Sequence, residues 1–238
     1  MILVGGLLAG PAVAKPNRTT DKAAATAALL QLSELPAGNS ARGFRGWETR
    51  PAGSTDVMRL VFPDPAFPAC AATIKVENAS AKFRVDTGDY GSNADTIRNS
   101  IYVLSKVKQA KAYLAAYAKP AEQQCYQHSV ITNDEKRLAG APGPIQAQEF
   151  PAFDASTVPP GSLNEGVGLN AWWTDTNPRS DYNGNALQDL RYRSGRAVIS
   201  LSSWYGSAMP KTGVPSYFPG TANYLVAIAD RLEAGLKK

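Results

Sequence analysis

The sequence predicts an α+β fold: a mainly antiparallel sheet with helices packed on one face. Two segments of alternating apolar and polar residues flank Ser194-Gly195, which is a two-residue hairpin signal. Apolar residues recur at helical spacing in three other segments, which lie before, between and after the strand segments. The strands mostly follow one another instead of alternating with helices, which favours antiparallel pairing over a parallel α/β sheet.

Composition restricts the class of protein. Of the 238 residues, 44% are hydrophobic and 19% are charged, which excludes a disordered tail, a coiled coil and a multi-span membrane protein. One histidine and two cysteines cannot assemble a four-ligand Cys/His zinc site, and a catalytic triad would have to use His128. The basic residues behind the net charge of +5 are scattered along the sequence, which favours acidic envelope polymers over nucleic acid as partners. No cofactor or metal is predicted.

The first fourteen residues are typical of an export signal. They carry no charge, contain a short apolar run and end in Ala12-Val13-Ala14, an A-x-A cleavage site. The positive n-region is missing, so residues 1–14 are interpreted as an apparently truncated signal peptide; the alternative is a buried N-terminal helix or strand. No other segment approaches the ~20 apolar residues of a membrane span. We therefore expect residues 15–238 to form one secreted or extracytoplasmic domain, monomeric and without stable membrane insertion.

Export changes the interpretation of the two cysteines. An oxidising compartment favours disulfides, whereas a reducing one favours free thiols or metal ligands. The sequence therefore predicts a bridge between Cys70 and Cys125. Two buried free thiols are the alternative.

The first half of the chain contains two predicted helices with strands between them. Thr20 begins an Ala-rich amphipathic stretch that continues through Leu35 and is stopped by Pro36. Ser105 caps a second helix, which ends near Pro120. Alternation of apolar residues predicts three strands: Val57–Phe62, Ala81–Val85 and Ile97–Leu104.

The second half is mostly strands, beginning after a Gly/Pro-rich segment from Gly140 to Pro144. The predicted strands are Ile145–Phe150, Gly166–Thr174, Leu187–Arg193 and Arg196–Trp204. A loop of Ser194-Gly195 pairs Leu190 with Ile199, so that apolar residues face each other across the hairpin. Thr221–Leu236 is a closing amphipathic helix.

Alternation along the late strands predicts one polar face. If Val167, Leu169, Ala171, Leu190, Ile199 and Leu201 face the helices, the opposite side carries Asn170, Trp172, Asp189, Arg191, Arg193, Ser200, Ser202 and Trp204. Large aromatic residues on a solvated face expose apolar area unless something covers them. The cover is either a ligand or the loop from Gly206 to Pro219.

The ligand alternative makes Trp172, Arg191, Arg193 and Trp204 the candidate binding residues. The tryptophans would provide flat walls for stacking, and the arginines would bind an anionic or polar group.

One set of motifs indicates an enzyme. Ser105-Lys106-Val107-Lys108, Ser162-Leu163-Asn164 and Lys211-Thr212-Gly213 follow the order found in penicillin-recognising serine enzymes. The alternative function is therefore an envelope serine hydrolase or penicillin-binding-type enzyme using Ser105 and Lys108. Against it, prolines flank the third motif and break the strand that should carry it.

Three weaker signals have structural interpretations. Asp86-Thr87-Gly88 matches the aspartic-protease triplet, but its only echo is Asp175-Thr176-Asn177, so we interpret it as a turn. His128 lacks a neighbouring nucleophile motif and is interpreted as a surface or cap residue. Calcium could bind the oxygen-bearing residues Asp175, Asn177, Asp181, Asn183, Asn185 and Asp189. Because Asx residues are equally typical of turns, calcium remains the alternative there.

Together these segments resemble the PknH-like extracellular sensor domains of actinobacteria, which occur on receptor kinases and as stand-alone exported proteins. The resemblance rests on Leu32-Ser33-Glu34-Leu35-Pro36, Phe67-Pro68-Ala69-Cys70, Ile101-Tyr102-Val103-Leu104 through Ala110, Tyr113 and Leu114 to Cys125, the hairpin Leu187–Ser203, and Ala222–Leu232. It implies a single α+β sandwich with an open cleft, a Cys70–Cys125 bridge, and ligand sensing without catalysis. The family commonly carries a second cysteine pair around the late hairpin, which this chain lacks.

The favoured function is therefore an exported, non-enzymatic, sensor-like domain that binds an unknown small molecule or cell-envelope component. The envelope hydrolase is the second hypothesis, and a structural envelope protein is the third.

Overall fold

The computed structural model describes residues 18–35, 46, 48–50, 64–71, 81–92, 95–137, 146–148, 165–174, 184–209 and 221–236. The helices in these ranges are α1 (Arg18–Ala28), α2 (Val107–Tyr117), α3 (Pro120–Arg137) and α4 (Thr221–Leu236). The strands are β1 (Glu48–Arg50), β2 (Ala81–Asp86), β3 (Asp89–Ser92), β4 (Asp95–Leu104), β5 (Gln146–Gln148), β6 (Glu165–Thr174), β7 (Gly184–Ser194) and β8 (Ala197–Met209). The predicted signal peptide, the strand at 57–62 and the segment 140–144 lie outside the described residues.

All eight strands join one antiparallel sheet in the order β1-β3-β4-β8-β7-β6-β5, and β2 also pairs with β4. The predicted α+β class and antiparallel sheet are confirmed. β2 and β3 lie on the same side of β4, separated by Thr87-Gly88, where Gly88 has a φ of 69°. The Asp86 carboxylate accepts a hydrogen bond from the Gly88 amide at 3.1 Å. The protease-like triplet is therefore a turn, as predicted.

The β7–β8 hairpin is confirmed, but its predicted register was wrong by two residues. The loop is Gly195-Arg196, and Leu190 pairs with Leu201 instead of Ile199. A two-residue hairpin loop favours glycine at its first position, where a positive φ is needed, and Gly195 has a φ of 56°. Because the error is an even number of residues, each side chain of the hairpin stays on its predicted face.

One face of the sheet, the apolar face, packs against α1 and α4. The strands contribute Val85, Ile97, Ile101, Val103, Leu190, Tyr192, Ala197, Ile199 and Leu201, and the two helices contribute Ala25, Ala28, Leu225, Ile228, Ala229 and Leu232. These side chains are buried, so transfer of their apolar surface out of water is the main stabilising contribution of this layer. The closing helix has the bounds that the sequence predicts.

The first helix ends earlier than predicted, at Ala28 instead of Leu35, and a 3-10 turn follows at Leu32–Glu34. The cause is tertiary hydrogen bonding. The Leu30 amide donates to Asn99 Oδ1 at 3.0 Å, and Arg231 of α4 donates to the carbonyl oxygen of Ala28 at 3.1 Å. These side chains take backbone groups that a continuing helix would have paired internally.

Helices also cover the second face of the sheet, so the prediction of helices on one face only was wrong. On this face, the hydroxyl of Tyr113 in α2 accepts a hydrogen bond from Arg191 of β7 at 2.9 Å. Helix α3 was missed because Pro120 was interpreted only as a stop. Proline is also well tolerated at the first position of a helix, and Pro120 begins α3.

The predicted disulfide between Cys70 and Cys125 is confirmed, with a Cα–Cα distance of 4.8 Å. It joins the 3-10 turn Pro68–Cys70 to α3. His128 reinforces the same junction, because its ring stacks on Phe67 at 4.0 Å and its Nε2 lies 3.2 Å from the Asp64 carboxylate. Within the described ranges, no helix is both long and apolar enough to cross a membrane.

Gly166 of β6 is expected to be intolerant of a side chain. It pairs with Tyr192, and a Cβ atom at this position would overlap the tyrosine ring. Gly166→Ala should therefore lower the free energy of unfolding by about 1–3 kcal/mol, measured by urea denaturation. In a Tyr192→Leu background the same substitution should cost much less. An equal cost in both backgrounds would show that the ring is not the reason for the glycine.

Removal of the disulfide should destabilise the chain substantially. The bridge closes a loop with a sequence separation of 55 residues, and the chain-entropy model gives about 4 kcal/mol for such a loop. Cys70→Ser/Cys125→Ser should lose a stabilisation of this order in denaturant titrations. Alkylation of the unfolded, unreduced wild-type chain should modify neither cysteine, and two labelled thiols would contradict the bridge.

Candidate functional site

The second face of the sheet carries most of the charged residues of the central strands. The register places its residues in lateral rows: Thr96 with Trp204 and Leu187; Arg98 with Ser202, Asp189 and Leu169; Ser100 with Ser200, Arg191 and Val167; Tyr102 with Val198, Arg193 and Glu165. We call these four rows the polar face. Directly opposed residues of antiparallel strands lie on the same side of a sheet, so each row is one line of neighbours.

The predicted polar face is correct for the hairpin and wrong in phase for β6. Trp172 is paired with Ala186, and Asn170 with Gln188, so both are out of phase with Arg191. The Tyr192 ring leaves no room for a side chain at the position of β6 opposite it, and Gly166 occupies that position. This shifts Val167 into the row of Arg191. The apolar alternation of β6 was therefore assigned to the wrong side.

A buried ion pair occupies the middle of the polar face. Asp189 and Arg191 have side chains only 0% and 6% exposed. Asp189 Oδ2 accepts from Arg191 Nε at 3.0 Å and from Nη2 at 2.8 Å. Asp189 Oδ1 accepts from the hydroxyls of Ser200 and Ser202 at 2.9 and 3.1 Å. Both carboxylate oxygens are therefore fully occupied within the chain.

Aromatic residues of α2 complete the surroundings of Arg191. Its Nη1 donates to the Tyr113 hydroxyl at 2.9 Å, and its Cζ lies 3.7 Å from the centre of the Tyr117 ring, a cation–π contact. Burial by itself would lower the pKa of Arg191, but the Asp189 carboxylate and the hydroxyls of Tyr117, Tyr113 and Tyr102 together outweigh burial and raise it. The guanidinium therefore stays charged beneath α2.

Tyr126 of α3 lies near the same charges. It is buried, and burial raises the pKa of its phenol, with a further contribution from Asp189. Its hydroxyl has no hydrogen-bond partner among the described residues. The ion pair and the tyrosines thus form a closed layer between the sheet and the two helices.

The arginines singled out by the sequence are already engaged within the chain. Arg191 is held as described, and Arg193 pairs with Glu165 at 2.5 Å and donates to the Gly195 carbonyl at 3.0 Å. Trp204 lies in the outermost row, beside Thr96. Of the predicted covering loop, residues 206–209 belong to β8 and residues 210–219 lie outside the description.

Arg98 of β4 was missed by the sequence reasoning. Its Nε donates to Asp89 Oδ1 at 2.7 Å, and the two side chains are 25% and 3% exposed. Neither terminal nitrogen of Arg98 has a hydrogen bond with another described residue. A fixed guanidinium with free terminal N–H groups can bind a carboxylate or phosphate through two parallel hydrogen bonds. The alternation of Thr96, Arg98 and Ser100 with Ile97 and Ile101 was the available signal.

Hydroxyl and guanidinium groups surround Arg98. Ser202 is its register partner, and Ser100 follows on the same side of β4. Arg84 of β2 donates to Ser100 Oγ at 3.0 Å and is 38% exposed. We call Arg84, Asp89, Arg98, Ser100 and Ser202 the Arg98 site.

The structure describes only the first of the three serine-enzyme motifs. Ser105 lies two residues before α2 and is half-buried, and Lys106, not Ser105 as predicted, is the N-cap of the helix. Lys108 lies in the first turn of α2 and is exposed. The second and third motifs, residues 162–164 and 211–213, lie outside the described residues.

The remaining weak signals are also located in part. Asp64 and Thr132 both approach His128 at Nε2, at 3.2 and 3.5 Å, whereas a triad uses the two ring nitrogens for different partners. Of the calcium candidates, Asn185 and Asp189 lie in β7 and residues 175–183 are not described.

Breaking the buried ion pair should cost far more than breaking an exposed one. Asp189→Asn leaves the Arg191 charge uncompensated and should lower the free energy of unfolding by about 3–5 kcal/mol. Glu165→Gln, the matched control at the exposed Arg193 pair, should cost no more than about 1 kcal/mol. Asp189→Leu/Arg191→Met should recover much of the loss, because neither charge remains. Equal effects of the two single substitutions would contradict this assignment.

Comparison with known proteins finds similarity among solved structures. No protein-family model matches the sequence, and no curated protein matches it. Among solved structures, the chain is similar to the extracellular domain of PknH from Mycobacterium tuberculosis, with 10% sequence identity and a TM-score of 0.39, over 89% of this chain and 94% of that chain.

Proposed function

We propose that residues 15–238 form one extracytoplasmic, non-enzymatic, sensor-like domain that binds a small anionic ligand of the cell envelope or extracellular space at the Arg98 site. The observation that carries this proposal is the state of Arg98. A buried carboxylate, Asp89, fixes its Nε, while its terminal nitrogens have no partner among the described residues.

The geometry supports binding because Arg98 is held in place before a ligand arrives. An arginine that is already ordered loses little side-chain entropy on binding. Asp89 contributes that order from a position that is 3% exposed, so it is shielded from competition by water. The half-buried Ser202 hydroxyl is suited to the polar groups that accompany an anionic group on a sugar or similar compound.

The disulfide supports the proposed location. Disulfides persist in oxidising compartments and are rare in the cytosol. The Cys70–Cys125 bridge, which joins the 3-10 turn Pro68–Cys70 to α3, is buried. The predicted export segment points to the same compartment.

Trp204 is retained in this proposal because of its register position, one row from that of Arg98. Its register partner Thr96 precedes Arg98 by two residues on β4. Arg191 and Arg193 are replaced by Arg98 as the anion-binding group because carboxylates of the chain already bind them. Trp172 leaves the site because its register position is out of phase.

A chain of hydrogen bonds connects the proposed site to α2, which suits a sensor. Ser202, the register partner of Arg98, donates to Asp189, which binds Arg191, which in turn donates to Tyr113 of α2. A ligand that engages the Ser202 hydroxyl competes with Asp189 for it. Ligand binding would thereby alter the layer that holds α2.

The proposal is tested with three probes that share one ring: glucuronate, glucose 1-phosphate and neutral glucose. Saturable binding, followed by tryptophan fluorescence and thermal shift, is expected for one or both anionic probes and not for glucose. Arg98→Gln should weaken it about 10- to 100-fold through loss of a charge-assisted hydrogen bond. Arg193→Gln removes an arginine from another row of the same face and should leave binding unchanged.

Absence of saturable binding by either anionic probe, or equal weakening by both variants, would contradict the site. Covalent labelling of Ser105 by a β-lactam probe would instead support the hydrolase.

A further inference from the structure

Helix α2 presents an unusual concentration of one charge on its outer side. Between Asp95 and Glu122 the sequence contains no carboxylate, yet the segment carries Lys106, Lys108, Lys111 and Lys119, all of them exposed. We call these four residues the lysine face. Lys108 and Lys111 lie on α2, whereas Lys106 and Lys119 flank its two ends, so the fold collects these charges at one helix and its termini.

The lysines lie opposite the buried side of α2. The inward residues are Ala110, Tyr113, Leu114, Ala116 and Tyr117. At 100° per residue, Lys108 lies directly opposite Tyr117, and Lys111 lies about 60° from Lys108. Lys106 is the residue before α2, and Lys119 lies in the short turn between α2 and α3.

The lysine face has no counter-charge among the described residues. Six arginines of the sheet, its hairpin loop and α4 are paired with carboxylates, whereas no ion pair with another described residue involves these lysines. Lys108 and Lys111 are three residues apart on a helix, a spacing at which like charges repel each other. An anionic partner would relieve this repulsion.

We propose that the lysine face binds an extended polyanion, a linear polymer with repeating phosphate or carboxylate groups. The charges are distributed from the residue before α2 to the turn after it, and the exposed Ala112, Ala115 and Ala118 leave the surface between them low enough for a chain to lie along it. A membrane surface fits less well, because interfacial helices insert apolar side chains and Val107 is the one large exposed apolar residue in the described ranges. This proposal does not depend on the Arg98 site, which takes a small ligand.

The test is binding of linear polyphosphate and poly-glutamate to the intact chain, with neutral dextran as the control polymer. Lys108→Gln/Lys111→Gln should weaken binding about tenfold or more at low salt, since each lysine near an anionic surface contributes to the attraction. Arg18→Gln/Lys22→Gln is the matched control. It removes the same charge from two exposed positions of α1, on the opposite side of the sheet.

Salt gives an independent readout. Binding by wild-type protein should fall steeply between about 50 and 200 mM salt, and Lys108→Gln/Lys111→Gln should flatten this dependence. Lys108→Arg/Lys111→Arg should retain binding, because the charge is kept. Arg98→Gln should also retain it, which separates this proposal from the one above.

Several results would overturn the proposal. One is equal weakening by the α1 and α2 variants, which would reflect net charge alone. Another is binding to phosphatidylglycerol vesicles that is lost in Val107→Ser, with no binding to either polymer, which would indicate a membrane surface. Failure of both polymers to bind at low salt would also exclude it.

Discussion

The buried ion pair between Asp189 and Arg191 is the constraint on which the rest of the structure depends. Removing two charges from water is costly unless each is fully hydrogen-bonded. From β8, the hydroxyls of Ser200 and Ser202 donate to Asp189. From α2, the Tyr113 hydroxyl accepts a hydrogen bond from Arg191, and the Tyr117 ring adds a cation–π contact. The pair therefore specifies both the strand register and the position of a helix, and it does so through directional bonds that tolerate little displacement.

The two faces of the sheet are held by different kinds of force. On the apolar face, α1 and α4 bury aliphatic side chains, which gives a large but non-directional stabilisation. On the polar face, arginines reach carboxylates along successive rows. Directional contacts of this kind contribute less net stability and more positional precision. A rigid, charge-lined surface is a consequence of that division, and it is the kind of surface on which a binding residue such as Arg98 can be fixed in advance.

Much of the fold could be predicted because its signals are local. Apolar periodicity gave the closing helix at its observed bounds, and the hairpin followed from alternation around Gly195. What failed depended on distant partners. The end of α1 is decided by Asn99 and Arg231, and the phase of β6 by the Tyr192 ring. Arg98 was visible as a polar position of β4, but its importance arises from Asp89, which the β3–β4 pairing brings beside it and no spacing rule indicates.

The position of the disulfide has a consequence for how the chain survives in its surroundings. Between the two bridged cysteines lie β2, β3, the central strand β4 and all of α2. A single peptide-bond cleavage by an extracellular protease anywhere in this span yields two fragments that remain covalently joined. Since β4 stays hydrogen-bonded to β8 and α2 stays packed on Arg191, such a nicked molecule keeps its central contacts. The bridge therefore gives the domain tolerance to proteolytic damage in the region that carries the lysine face and most of the Arg98 site.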